Sequence, residues 1–173
     1  ATYIMTVVMV APALVKVGLP MHVAHMLAFY FAVLSEVSPP VGLSPSAAAA
    51  VTGGNPFTSM MQAWKYTLPT FLVPFMFTLH PDGVGLLLKG SWGNIAWTTV
   101  TAAVGLAALA AGLTGWLLMK TTWLERVLLV AAGLVLVYPS LVQDLIGLGL
   151  FAFAATLQYL HWRSAAGRMS PAH

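Results

Sequence analysis

The sequence predicts an all-α integral membrane protein with a re-entrant helical hairpin and about four to five transmembrane helices. Of its 173 residues, 60% are hydrophobic and 6% are charged, and the mean hydropathy is +0.88. A soluble domain of this size needs more polar surface than this composition provides. Several apolar stretches approach or exceed the roughly 20 residues that a helix needs to cross a bilayer.

Composition and motifs exclude several classes of function. The chain has no cysteine, which removes disulfides, thiolate catalysis and cysteine-based zinc sites. Its net charge of +3 comes from seven scattered Lys and Arg residues, so no basic patch tracks a phosphate backbone and nucleic acid is not a partner. The sequence has no HExxH motif, phosphate-binding glycine loop or Ser-His-Asp order. We therefore expect a protein surrounded by membrane lipid that is not an enzyme.

The first half of the chain alternates short helical segments with breaks. Residues Ala1–Leu14 begin in helical pattern, with neither an initiator Met nor the basic region of a signal peptide, which predicts that the chain is a piece of a longer protein. Met21–Leu34 is apolar and helical, and Ala47–Thr52 resumes the helix after an interruption. Neither segment spans a bilayer alone, whereas Pro56–His80 is long enough to do so.

The second half of the chain contains the clearest membrane-spanning helices. Asn94–Met119 is the cleanest, and its glycines offer a small-residue face for helix packing. Trp123–Val137 is short for a span. A break at Tyr138-Pro139-Ser140 precedes Leu141–His161, which has full length.

The interruption in the first half reads SEVSPPVGLSPSAAAAVTGGNP, from Ser35 to Pro56. Pro39 and Pro40 lack amide donors and push the residues before them out of the α region, so the helix cannot continue. Non-helical backbone at membrane depth is tolerated only where protein or a water-filled cavity covers it. Two interpretations remain open, a re-entrant hairpin over about residues 21–54 and an ordinary loop between two membrane helices.

Polar groups at this interruption form the candidate substrate- and ion-binding site. Serine hydroxyls and the carbonyls of a broken helix suit a small cation, around Ser38 and Gly42, and the N-terminus of the second arm suits a carboxylate. The candidate residues are Ser35, Glu36, Ser38, Pro39, Pro40, Val41, Gly42, Ser44 and Ser46.

Glu36 is the most informative of these residues. An ionised carboxylate that faces lipid is penalised by several kcal/mol, so an intramembrane acid normally faces a cavity or a partner. One hypothesis gives Glu36 a role in proton or cation coupling. The alternative is a structural role, in which Glu36 caps the broken helix or pairs with Lys65 or a histidine.

Three further residues each admit two interpretations. Asp144 is either a relay acid or part of the helix cap after Ser140. His22 and His25, at i and i+3, share one helix face and are either metal ligands or interfacial residues near a helix start.

Several motifs resemble the C-terminal part of the large membrane subunit of tripartite ATP-independent periplasmic (TRAP) transporters, and the fused TAXI-type permeases in particular. They are FYFAVLSEVSPPVGL, GGNP and LPTFLVPFMF, followed by LLKGSW and WLERVLLVAAGLVLVYPS. In that family the T/S-P-P-V-[AG]-L motif forms the tip of the second re-entrant hairpin, and TAXI-type permeases have an acid just before it, as at Glu36. The chain departs from the family at Ser44-Pro45-Ser46, where small or apolar residues are usual.

The resemblance implies ion-gradient-driven uptake of organic acids by a multi-pass protein of the bacterial cytoplasmic (inner) membrane. The implied partners are the rest of the permease, a periplasmic substrate-binding protein and other membrane subunits. No cofactor is implied beyond a coupling ion, H⁺ or Na⁺. Residues 1–80 would form a transport-core segment, 81–161 additional transmembrane helices and 162–173 a polar tail. The alternative is a permease-derived structural or accessory subunit with no transport activity.

Overall fold

The computed structural model describes residues 2–117 and 119–168, and this part of the chain is helical without a β-strand. Its α-helices are α1 (Thr2–Lys16), α2 (Met21–Leu34), α3 (Leu43–Thr52), α4 (Pro56–Thr67), α5 (Val73–Thr78), α6 (Trp92–Thr114), α7 (Trp123–Val135) and α8 (Leu141–Arg168). Two 3-10 helices, Leu68–Leu72 and Pro81–Leu87, flank α5. The all-helical fold class is confirmed.

Two helices within the described residues are long and apolar enough to cross a membrane, Trp92–Thr114 and Leu141–His161. Leu141–His161 is the predicted span, and Trp92–Thr114 overlaps the predicted Asn94–Met119 but ends at Thr114, where Gly115 caps the helix. The helices α1 and α2 are apolar but shorter. The count of four to five transmembrane helices therefore stays a prediction.

The segment from Pro56 to His80, predicted to be long enough to span, is not one continuous helix. It is divided into α4, the 3-10 helix Leu68–Leu72 and the short α5. Pro69 lies at the start of the 3-10 helix and Pro74 at the start of α5. Because neither proline has an amide donor, both fit best in the first turn of a helix, and the longer helix is cut at each.

The second half forms a bundle in which α7 packs against both α6 and α8. Its apolar core includes Ala108, Leu129 and Ala154, one residue from each helix. A Cβ atom added to Gly112 would lie 2.6 Å from Cγ2 of Val130, and one added to Gly105 would lie 2.9 Å from Cβ of Leu136. Glycine at these positions lets α6 approach α7 closely, as the predicted small-residue face requires.

The first half packs as two helix pairs, α1 with α2 and α3 with α4. The Tyr3 hydroxyl lies 3.1 Å from Nδ1 of His25, and the Tyr3 ring meets Phe29 edge-on at 5.7 Å. On its other side α2 packs against α5, where Phe31 contacts Phe75. The helices α2 and α3, the arms of the predicted hairpin, are not among the closely packed pairs of the described chain. The re-entrant hairpin thus stays a prediction, while the α1–α2 pair is formed.

Arg126, which lies on α7, donates hydrogen bonds to backbone carbonyls at the C-terminal end of α6. Its Nε donates to the carbonyl of Gly112 at 2.7 Å, and its Nη2 donates to the carbonyl of Leu113 at 2.8 Å. The last carbonyls of a helix have no partner within the helix, and a cation there also interacts favourably with the helix dipole. The guanidinium therefore ties α7 to the end of α6.

We expect Arg126→Ala to destabilise the bundle by about 2 kcal/mol, because two charge-assisted hydrogen bonds are lost. In detergent this corresponds to a fall in Tm of roughly 4–8 °C. Arg126→Lys keeps the positive charge but loses the two N–H donors that reach neighbouring carbonyls, so we expect its Tm to lie between those of wild type and Arg126→Ala. Arg163→Ala, at an exposed position on α8, is the control. Equal Tm values for the two alanine variants would contradict the role of Arg126.

Candidate functional site

The break between α2 and α3 comprises residues 35–42 and begins with two serines bonded to the end of α2. Ser35 Oγ donates to the carbonyl of Ala32 at 2.7 Å, and Ser38 Oγ donates to the carbonyl of Leu34 at 2.9 Å. These bonds satisfy carbonyls that the end of a helix leaves without partners. Each hydroxyl oxygen keeps acceptor capacity, so it can still bind a cation or a donor.

Gly42 closes the break in a conformation that favours glycine. Its φ of 43° and ψ of 44° are left-handed, and its amide donates to the carbonyl of Ser38 at 3.0 Å. A Cβ at this position would lie 2.6 Å from Cγ of Met60 on α4. The left-handed backbone angles favour glycine here, and a larger residue would also have to displace the Met60 side chain. The Pro39–Pro40 peptide, just before, is cis.

The second arm starts earlier than the sequence predicts. The helix α3 begins at Leu43, whereas the sequence predicts that the helix resumes at Ala47. The amide of Ser44 donates to the carbonyl of Glu36 at 3.4 Å, and that of Ser46 donates to the carbonyl of Gly42 at 3.1 Å. Pro45 fits the first turn because amides there have no partner within the helix. The first-turn bonds hold the two ends of the break together.

Glu36 is exposed and lines a groove of about 250 Å³ between α1 and α2. Thr2, Tyr3 and Phe29 border the same groove. In the part of the chain that the structure describes, Glu36 forms no ion pair with Lys65 or with a histidine. The salt bridge to Lys65 or a histidine, which was one structural alternative for Glu36, is therefore not formed among the described residues.

The predicted site residues differ in how far the chain covers them. Pro40, Val41 and Ser44 are exposed, whereas Gly42 is buried against α4. The remaining candidates Ser35, Ser38, Pro39 and Ser46 are partly buried. One side of the break therefore packs on this chain and the other is open to a ligand or to further protein.

His22 and His25 have different surroundings despite their i, i+3 spacing. His25 contacts the Tyr3 hydroxyl, whereas Nε2 of His22 is buried without a hydrogen-bond partner. His22 borders a cavity of about 400 Å³ that Lys89 also lines. Over residues 2–117 and 119–168 no group of three or more His, Cys, Asp or Glu side chains is placed to hold a metal ion.

A second polar site, which sequence reasoning did not assemble, lies at the start of α6 and α8. Asp144 is buried, and its Oδ2 accepts a hydrogen bond from Nε1 of Trp97 at 2.9 Å. The capping role is taken by Ser140, whose Oγ accepts from the amide of Gln143 at 3.5 Å and donates to Oε1 of Gln143 at 2.6 Å. The sequence shows Asp144 as an acid in an apolar helix. Its partner Trp97 could not be predicted, because the two residues are 47 positions apart in the sequence.

Residues 1–82 match the family model of the tripartite ATP-independent periplasmic transporter, DctM component. No curated protein and no solved structure gives a significant match. The matched residues include α1 to α5 and the whole break between α2 and α3. The match does not specify the TAXI type. Residues 1–82 of this chain are therefore similar to the DctM component of the tripartite ATP-independent periplasmic transporter.

Proposed function

We propose that this chain is part of the membrane component of an ion-gradient-driven TRAP transporter for organic acids. The observation that carries the proposal is that the DctM match contains the entire helix break with its Pro-Pro-x-Gly turn. Broken helices in secondary transporters characteristically supply the binding site for substrate and coupling ion. In this proposal residues 1–80 contribute to the transport core, and residues 81–161 supply further transmembrane helices.

The two ends of the break differ in charge preference. The C-terminal end of α2 carries the negative end of a helix dipole, and the N-terminal end of α3 carries the positive end. The hydroxyls of Ser35 and Ser38 lie beside the first of these ends. A coupling cation is therefore favoured at the end of α2, and a substrate carboxylate is favoured at the start of α3, near Ser44 and Ser46.

Glu36 is the proposed coupling residue. Its carboxylate is exposed in this chain and no cation neutralises it among the described residues. Within a bilayer such a charge costs several kcal/mol unless it faces water, a counter-ion or a proton source. Binding of H⁺ or Na⁺ next to Glu36 would remove that cost. The affinity for the coupling ion would then depend on the conformation around α1 and α2.

The proposed assembly extends beyond this chain. The open side of the break at Pro40, Val41 and Ser44 leaves room for the rest of the permease to complete the site. A periplasmic binding protein would deliver the organic acid. The complete permease would lie in the bacterial inner membrane as a multi-pass protein. No cofactor other than the coupling ion is proposed.

A second candidate function is a permease-derived accessory subunit without transport activity. It is favoured by the end of the family match at residue 82, before α6, α7 and α8. These helices pack on one another, with α6 also in contact with the first half, and they expose large apolar residues, among them Trp92 and Leu124. Such a bundle suits attachment to another membrane protein.

Native mass spectrometry in mild detergent separates the two functions. If the transporter proposal is correct, the sequence is found in a chain several times 18.3 kDa or bound to other TRAP components. A mature chain of 18.3 kDa in stoichiometric complex with an unrelated membrane protein would support the accessory role and contradict the transporter role.

In the assembled transporter we expect Glu36→Gln to reduce ion-driven uptake at least 100-fold, because the side chain can no longer exchange a proton or balance a cation. The amount of assembled transporter should be unchanged. Uptake is measured in reconstituted vesicles with an imposed ion gradient. Lys65→Gln, an exposed charge change on α4, is the control and should retain uptake. Normal uptake by Glu36→Gln would exclude Glu36 as the coupling residue.

Gly42→Ala should lower uptake, because the added Cβ would lie 2.6 Å from Cγ of Met60 and the Met60 side chain must move. Gly53→Ala is a matched control, since Gly53 is also left-handed, with a φ of 71°, but has open space around its Cβ position. Both substitutions cost about 1 kcal/mol of backbone strain, so only the clash separates them. Met60→Ala in the Gly42→Ala background should partly restore uptake. Equal effects of the two glycine substitutions would show that contact with α4 is unimportant.

A further inference from the structure

Asp144 is a buried acid with an incomplete set of partners. Its side chain lies in the first turn of α8 and the residue is 2% exposed. Oδ2 accepts the indole hydrogen bond of Trp97, but Oδ1 is buried with no hydrogen-bond partner. No Lys, Arg or His forms an ion pair with Asp144 in the described segments of the chain.

Neither protonation state of Asp144 satisfies this geometry. If the carboxyl group is ionised, one neutral donor is left to compensate a buried negative charge, which is costly. If it is protonated on Oδ1, the hydroxyl has no acceptor, and a buried unpaired donor also costs free energy. The geometry therefore implies a partner for this oxygen beyond the protein groups that surround it.

A cavity of about 370 Å³ adjoins Asp144, at the join of the 3-10 helix Pro81–Leu87 with the starts of α6 and α8. Its polar lining comes from Asp82, Ser91, Asn94, Thr98, Ser140 and Asp144. A water molecule occupies about 30 Å³ of liquid volume, so the space admits an ion together with several waters. Carboxylate, hydroxyl and amide oxygens are the ligands that hard cations prefer.

The charges around the cavity favour a monovalent cation. Asp82 is the second carboxylate of the lining and is mostly exposed, so the site carries negative charge that repels an anion. Two carboxylates are fewer than a Ca²⁺ site usually employs, and none of the described residues forms a group of three acidic or histidine ligands.

We propose that this cavity binds a small monovalent cation, Na⁺ or an ammonium group, with Asp144 as its counter-charge. Except for Asp82, the residues that line the site lie outside those that match the DctM component, and the site is separate from the proposed coupling site at Glu36. A bound cation would connect the 3-10 helix at the end of the first half to the two candidate membrane spans of the second half.

The test measures the Tm of the full chain in mild detergent, with NaCl or NH₄Cl compared with choline chloride at equal ionic strength. Choline lacks N–H donors and has bulky substituents on nitrogen. We expect Na⁺ or NH₄⁺ to raise Tm by about 5 °C at a hundredfold excess over the dissociation constant. The increase is also measured in the Glu36→Gln background, where a cation at the break no longer contributes. There Asp144→Asn, whose amide oxygen can still accept from Trp97, should lose the remaining increase. The salt that gives the larger increase distinguishes a metal cation from an ammonium group.

The other outcomes overturn the inference. If wild type shows no cation-dependent increase, the cavity binds no such cation. If the increase is lost in Glu36→Gln and kept in Asp144→Asn, the cation binds at the break and the proposed coupling site alone is supported. Should Asp144→Asn not fold, Thr98→Val serves instead, because it removes one cavity oxygen and should raise the half-saturating cation concentration at least threefold. An unchanged value for Thr98→Val would also contradict the site.

Discussion

Satisfying backbone hydrogen bonds at helix ends is the constraint on which the rest of this structure depends. Every α-helix leaves about four amides and four carbonyls without partners, and a bilayer core supplies no water for them. This chain, with 60% hydrophobic residues, uses its few polar side chains largely at those ends. The capping residues are Asn55 for α4, Ser91 for α6, Thr122 and Glu125 for α7, Ser140 for α8, and Arg126 for the end of α6.

The candidate sites lie beside helix ends where side-chain oxygens keep unused hydrogen-bonding capacity. At the break, Ser35 and Ser38 bond to the end of α2 but leave their oxygens able to accept. At the start of α8, Ser140 caps the helix, so Asp144 is free of a capping role and one of its oxygens has no partner. The first site belongs to the part that matches the DctM component, whereas the second, except for Asp82, lies beyond it. Both candidate sites of the chain therefore lie next to the ends of helices.

Local chemistry was predictable from the sequence, and long-range pairing was not. Pro39 and Pro40 break the helix whatever surrounds them, and long apolar runs predict the spans in α6 and α8. The start of α3 at Leu43 was missed, although a proline such as Pro45 is tolerated in a first turn. The pairing of α2 with α1 was not predicted, since helices that are apolar on most faces do not specify their neighbours. The Trp97–Asp144 bond joins two such helices.

The most direct test of the transporter interpretation is the membrane depth and water access of the break. Because the chain has no cysteine, single spin labels can be placed at Val41 in the break and at Val100 on the exposed face of α6. In the reconstituted transporter, electron paramagnetic resonance compares collision rates with oxygen, which partitions into lipid, and with a water-soluble nickel complex. We expect the Val41 label to lie at hydrocarbon depth yet collide with the nickel complex, and the Val100 label to collide mainly with oxygen. A Val41 label in bulk water outside the bilayer, or one accessible only to oxygen, would contradict a water-accessible binding site at the break.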